Sequence, residues 1–158
     1  MPYEIVTIPC LEDNYAFLIG NTETGEAAIV DVPDAAPINE TLKAKGWTLT
    51  TVLLTHHHWD HVDGLDHLTG RDSLHVIGAT ADAHRLPPLS QAVNEGDTID
   101  ILGGLPVDIL DVSGHTLGHI AFHIPELNAA FTADSLMALG CGRLFEGTPA
   151  QMFDSMSK

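Results

Sequence analysis

Cations are what this sequence lacks most. Of 158 residues only six are Lys or Arg, against 22 Asp and Glu, which leaves a formal net charge of −16 and a pI near 4.6. Nucleic acids are gripped through clustered Lys and Arg, so no nucleic-acid partner is expected. The same scarcity removes any polybasic membrane patch. Cysteine is nearly as rare: Cys10 and Cys141 are too few for a disulfide framework and are not spaced as a metal knuckle. No apolar run approaches the length needed to span a bilayer. The opening Met1-Pro2-Tyr3-Glu4 has no basic segment leading into an apolar one, so no signal peptide is read there. A cytoplasmic, reducing setting is the expectation, with no membrane partner. Repeats, low-complexity tracts and linkers are missing too.

What is present is an ordinary globule's composition, 44% hydrophobic and 18% charged, in a length that fits one domain with a normal core. Most of the acid excess serves solubility. Ten histidines in so short a chain raise a second use for some of it, the holding of cations.

Short runs rich in β-branched and aromatic residues, Tyr3 to Ile8, Tyr15 to Ile19 and Ala27 to Val32, predict strands, with a hairpin turn at Asn21-Thr22-Glu23-Thr24-Gly25. Asp34 predicts an N-cap for a helix through Ile38 and Leu42 that ends at Gly46. Leu49 to Thr55 reads as a strand buried on both faces. Short helices are expected at Val62 to Leu68 and Ala81 to Leu86, with a strand between them at Leu74 to Ala79. Further strands follow at Thr98 to Leu102, Val107 to Val112, His119 to Ile124 and Ala129 to Thr132. A last helix starts at Thr148-Pro149. Alternating strands and helices followed by a run of strands predict layered α/β sheets.

The chemistry concentrates in three places. Thr55-His56-His57-His58-Trp59-Asp60-His61 follows the buried strand directly. Alternate residues of an extended segment share a side, so His56 and His58 can converge on one ion while His57 points away. Asp60 and His61, after the chain turns, can reach a second ion. Imidazole with carboxylate suits zinc, and also iron or manganese. An accidental polar loop would not abut a core strand. In Ser113-Gly114-His115-Thr116-Leu117-Gly118-His119 the glycines permit a tight turn, and His115 is the natural third ligand of the first ion. His119 and His123 lie at strand positions and read as supporting or core residues. Finally, Asp134 ends an apolar strand in Phe131-Thr132-Ala133-Asp134-Ser135, a costly place for an unpaired carboxylate; between two cations it can bridge them. His67, His75 and His84 have no partner spacing. Asp31 is read equally as a capping residue or a contact to a ligand-bearing loop, and Asp63 as a turn residue.

Through its T-H-x-H-x-D-H signature the chain resembles the metallo-β-lactamase superfamily. More narrowly it is similar to the glyoxalase II (hydroxyacylglutathione hydrolase) family, through Leu11-Glu12-Asp13-Asn14-Tyr15, the histidine segment, Gly114-His115-Thr116 and Gly140-Cys141-Gly142-Arg143-Leu144-Phe145-Glu146-Gly147. The resemblance implies an αββα sandwich with the metals at the edge of the sheets. It implies that His56, His58 and His115 hold one metal, Asp60 and His61 the other, and that Asp134 bridges. Arg143 matches a basic residue that contacts glutathione; Phe145 stands where some members have a tyrosine with the same task. The family also has a further histidine ligand and a helical C-terminal domain downstream of the matched region. Residues 1–158 are therefore expected to be a partial catalytic domain, with the sandwich incomplete at its C-terminal end and the second metal under-ligated.

The implied activity is hydrolysis of S-2-hydroxyacylglutathione by a monomeric metallohydrolase carrying two divalent ions, zinc first, with Asp134 and Asp60 at the catalytic centre; for residues 1–158 alone, much reduced turnover is expected. Two rivals remain at this point: a mononuclear iron persulfide dioxygenase of the same fold, and a non-catalytic metal-binding fragment.

Overall fold

The computed structural model describes residues 2–158. Ten strands form two sheets. Strands β1 (Tyr3–Cys10), β2 (Asn14–Asn21), β3 (Glu26–Val30), β4 (Thr48–Leu53), β5 (His75–Ala79) and β6 (Gln91–Val93) lie side by side in that order; β1 to β3 are antiparallel and β3 to β6 parallel. Strands β7 (Thr98–Ile101), β8 (Leu105–Asp111), β9 (Ile120–Ile124) and β10 (Ala129–Phe131) make an antiparallel second sheet in the order β10-β9-β8-β7.

Neighbouring residues of the central strands point to opposite faces, and both faces are buried. Leu18, Ile29, Val52 and Val76 join one apolar cluster, together with Ile38 and Leu42 of helix α1 (Ala35–Lys45). Their chain neighbours Ile19, Val30, Leu53 and Ile77 join the other, against Leu105, Val107, Ile109 and Phe122 of the second sheet. A helix layer, a mixed sheet and a second sheet result. The outer face of the second sheet is more open: Asp100 and Ala130 are exposed, and half-buried His123 pairs with Asp108 at 3.6 Å.

Local chemistry sets the element ends. The Asp34 carboxylate accepts the Ala36 N–H at 3.0 Å, and Gly46 closes α1 in the left-handed region at φ 69°. The Asn21 side chain accepts from Glu23 and Thr24 and shapes the predicted hairpin turn. Thr148 and Gln151 form a reciprocal cap at the start of helix α3 (Pro149–Met156). That helix is tied down by Ser155 Oγ donating to the Ser113 carbonyl at 2.7 Å, and by Met152, which covers Gly114.

Two expectations need correction, and one strand was not foreseen. The helix predicted over Val62 to Leu68 is broken into α2 (Trp59–Val62) and a 3-10 turn at Leu65–His67. Gly64 breaks it: its N–H donates to the Val32 carbonyl, and a Cβ there would lie 2.9 Å from that oxygen. The helix expected at Ala81 to Leu86 is one 3-10 turn, Thr80–Asp82. Strand β6 carries too short a pattern to be seen in advance. Among the described residues, no helix is long and apolar enough to cross a membrane.

Candidate metal centre

The ends of β3 and β4 and the loop from β8 to β9 meet at one rim, where the histidines gather. Donor atoms of His56, His58, His115 and Asp134 all lie within 4.8 Å of one another, close enough to share an ion. His56, His61 and Asp31 form a second such group. Asp134 stands between the two: one oxygen is 3.1 Å from His115 Nε2 and 4.0 Å from His56 Nε2, the other 3.4 Å from His61 Nε2. Asp60 is beside the second group, its carboxylate 3.7 Å from His61 Nε2 and held by the Asn14 side-chain amide at 3.0 Å. All six predicted donors are thus brought to one place. His57 faces away, towards Asp82 and Glu146.

Asp31, at the end of β3, is the residue whose role the sequence left open. Its backbone is in the left-handed region at φ 58°, which Asp tolerates better than most residues. One carboxylate oxygen accepts the Thr55 N–H at 2.8 Å; the other accepts the Thr55 hydroxyl at 2.7 Å and His61 Nδ1–H at 2.8 Å. With its own proton committed, the Thr55 hydroxyl accepts from His56 Nδ1 at 3.0 Å. The carboxylate is therefore occupied as an orienting group, although it is near enough to count as a donor. It fixes two imidazoles so that each presents Nε2 inward. His115 is fixed the same way, with Nδ1 donating to the Arg143 carbonyl at 2.6 Å.

The inward nitrogens want a cation. His56 Nε2 and His61 Nε2 are buried with no hydrogen-bond partner among the described residues. His115 Nε2 and His58 Nδ1 face each other at 3.0 Å. Burial pushes the His56 imidazole far down, and burial with His115 nearby lowers His58. Burial also opposes charge on His61, but the Asp31 and Asp134 carboxylates outweigh it and push its pKa up to about 10. His115 is raised against burial by Asp134 and the Arg143 carbonyl. Asp134, despite burial, is held well below the usual carboxylate range by His115 and His61. The Asp134 carboxylate thus favours positive charge at His61 and His115, a charge that divalent ions would supply in place of protons. The residues fit such ions. His119 is a supporting group as expected: it is buried, stacks on His56 at 4.4 Å and is pushed down to about 4 by burial.

A loop roofs the rim. Gly142 N–H donates to the Asp134 carbonyl at 2.8 Å, Phe145 N–H to the His115 carbonyl at 3.3 Å and Gly147 N–H to the Gly114 carbonyl at 2.9 Å. A Cβ on Gly142 would come 2.0 Å from the Asp134 carbonyl oxygen, so only glycine fits. Phe145 is exposed, its ring edge-on to His58 and His115 at 5.5 and 5.3 Å, with the Arg143 guanidinium over it at 5.1 Å. A cleft of about 780 Å³, lined by Asn14, Tyr15, His61, Asp134 and Met137 among others, opens beside the donors. Cys141 is exposed.

Residues 12–157 match the sequence profile of the Metallo-beta-lactamase superfamily. The chain belongs to that superfamily. Within the metallo-beta-lactamase superfamily, it is 67% identical over 158 residues to a protein of Ruegeria pomeroyi named hydroxyacylglutathione hydrolase. The match covers 100% of this chain and 62% of that relative, so the chain spans about three-fifths of the relative's length. Among solved structures, BLEG-1 B3 metallo-beta-lactamase superposes with a TM-score of 0.88 at 21% identity, covering 98% of this chain and 84% of that one. TTHA1623, solved in a di-iron-bound form, superposes with a TM-score of 0.79 at 25% identity, covering 98% and 84%. The metallo-beta-lactamase fold expected from the histidine signature is the fold observed.

Proposed function

We propose that residues 1–158 form a metal-dependent catalytic domain that hydrolyses S-2-hydroxyacylglutathione, S-D-lactoylglutathione among them, to glutathione and a 2-hydroxy acid, the chemistry of methylglyoxal detoxification. The observation that carries this reading is the donor group under the Gly-Cys-Gly-Arg loop, in a chain 67% identical to a hydroxyacylglutathione hydrolase. His56, His58 and His115 would hold one ion and Asp60 and His61 the other, with Asp134 reaching both. Zinc is the first choice on ligand chemistry, iron or manganese the alternatives; the di-iron form of TTHA1623 supports room for two ions. When bound, such ions supply Lewis acidity and a hydroxide near neutral pH. The second ion has fewer donors from this chain, and the weaker occupancy is assigned to it.

The chain's own residues do the rest. Asp31, directly and through Thr55, keeps His61 and His56 in the tautomer that offers Nε2. Asp134, between the two donor groups, would orient the attacking oxygen; Asp60, steadied by Asn14, completes the second group. Attack forms the new C–O bond at the thioester carbonyl, and the C–S bond breaks to release a thiolate, which needs no strong general acid. Arg143 and Phe145 stand on the roof loop beside His58 and His115, where the anionic glutathione would lie. The two unpaired cysteines fit a cytoplasmic setting.

The test pairs elemental analysis of the purified chain with a hydrolysis assay on S-lactoylglutathione and an oxygen-uptake assay on glutathione persulfide. Bound metal with thioester hydrolysis and no oxygen uptake is expected. Metal near two equivalents without hydrolysis of any glutathione thioester would overturn the hydrolase assignment for this chain, and oxygen uptake would replace it with the dioxygenase.

A further inference from the structure

Arg85 is one of only six cations, and it does not face solvent freely. Its Nη1 and Nη2 each donate to one oxygen of Glu146 at 2.7 Å, and its Nε donates to Asp82 at 2.8 Å. Asp82 is only 2% exposed. It is pressed onto the His115 loop: a Cβ on Gly118 would lie 2.1 Å from its carboxyl carbon. Glu146 in turn accepts the Leu117 N–H at 2.8 Å. His57 sits between the two carboxylates, 3.4 Å from Asp82 and 3.6 Å from Glu146. Four segments therefore meet at one guanidinium: the turn at 80–85, the histidine segment, the His115 loop and the roof loop.

We propose that Arg85 is a positioning residue whose fork onto Glu146 latches the 140–147 loop over the metal centre and so sets where Arg143 and Phe145 meet the glutathione part of the substrate. The proposal rests on the hydrolase reading above for the identity of that substrate. An isolated surface ion pair would do little of this. Here the geometry is a planar two-point fork, and the far side of the guanidinium is anchored on a buried carboxylate. Glu146 directly follows Phe145 and lies three residues beyond Arg143, so a shift of the fork is felt at both. Arg85 has three of its N–H donors committed, so of the two arginines at this loop it is Arg143, exposed over Phe145, that can face an anionic ligand.

The test compares the zinc-loaded wild-type chain with Arg85→Gln, Arg85→Lys and Glu146→Gln. Amide hydrogen exchange is followed along the chain, and kinetics are measured on S-lactoylglutathione and on a lactoyl thioester of a small uncharged thiol. For Arg85→Gln, exchange across 140–147 is expected to quicken by about tenfold while β2 to β4 are unchanged. KM for the glutathione thioester should rise about tenfold, with kcat, metal content and hydrolysis of the small thioester within about twofold. Arg85→Lys, which keeps the charge and loses the fork, should fall between. Glu146→Gln leaves the Arg85–Asp82 contact intact and should reproduce the effect if Arg85→Gln fails to fold. Unchanged exchange at 140–147, or equal losses on both thioesters, would overturn the latch. Hydrolysis of neither thioester by the wild type would overturn the hydrolase reading instead; exchange and calorimetric binding of glutathione then decide the latch.

Discussion

His56, His61 and His115 are buried on short connections that leave the ends of β4 and β8, and each has its outer ring nitrogen held by a hydroxyl, a carboxylate or a carbonyl. Arg143 and Phe145, a few ångströms above, are exposed on a loop held by backbone hydrogen bonds at glycines and by one forked ion pair. The floor is pre-organised by burial, so its geometry survives with or without a ligand. The roof is held by contacts that solvent can reach, so loosening it spares His56 and His61 and reaches the floor through His115, whose Nδ1 rests on the Arg143 carbonyl, and through the Asp134 backbone. On the proposed assignment, ion binding at the floor and substrate binding at the roof are largely separate, joined at the His115–Arg143 contact.

Changes that strike one region and spare the other sharpen this contrast. His56→Ala should have the largest effect: it removes a buried donor shared by both groups, and metal content by elemental analysis should fall for both ions. Unchanged metal would sink the ligand assignment itself. Asp31→Asn comes next. It removes the orienting charge and keeps the shape, and should weaken metal affinity by roughly 10- to 100-fold in chelator competition. Gly142→Ala strikes the roof: the new methyl must push the loop off the Asp134 carbonyl, so activity on the glutathione thioester should fall about tenfold or more, with metal affinity changed less than in Asp31→Asn because only the backbone of Asp134 and the outer edge of His115 are touched. A Gly142→Ala protein with wild-type kinetics would show that the roof's position is irrelevant.

The smallest effect is pH-dependent. The Arg85 fork pulls the Glu146 carboxyl from its usual 4.5 down to about 2. A carboxyl depressed on folding contributes stability that is fully present above its unfolded pKa and is lost as pH falls through the folded one. Protection at 140–147, taken relative to the intrinsic amide exchange rate at each pH, should therefore stay flat above about pH 4.5 and fall progressively towards pH 2, earlier than in β2 to β4.

The same contrast explains what was legible in the sequence. Four of the floor's donors, His56, His58, Asp60 and His61, are local in sequence, where an apolar strand followed by alternating histidines leaves little freedom; His115 and Asp134 each follow a strand of their own, and all six predicted donors meet at the rim. The caps of α1, Asp34 and Gly46, were equally readable because capping is a contact within one turn. Asp31 was ambiguous because its partners Thr55 and His61 are 24 and 30 residues away. Arg85 and Glu146 are 61 apart and carry no pattern at all, so the latch is visible only in three dimensions. The break at Gly64 belongs to the same class: periodicity favours a helix to Leu68, and a hydrogen bond from Gly64 to distant Val32 overrules it.

Asp31 has one more consequence. The same carboxylate steadies His61 directly and His56 through Thr55, and on the proposed assignment these imidazoles serve different ions. Whatever tightens one ring on its ion also stiffens the shared anchor for the other. Loading should then be cooperative, with metal titrations steeper than two independent sites allow, and Asp31→Asn should flatten the curve towards independence as well as shift it.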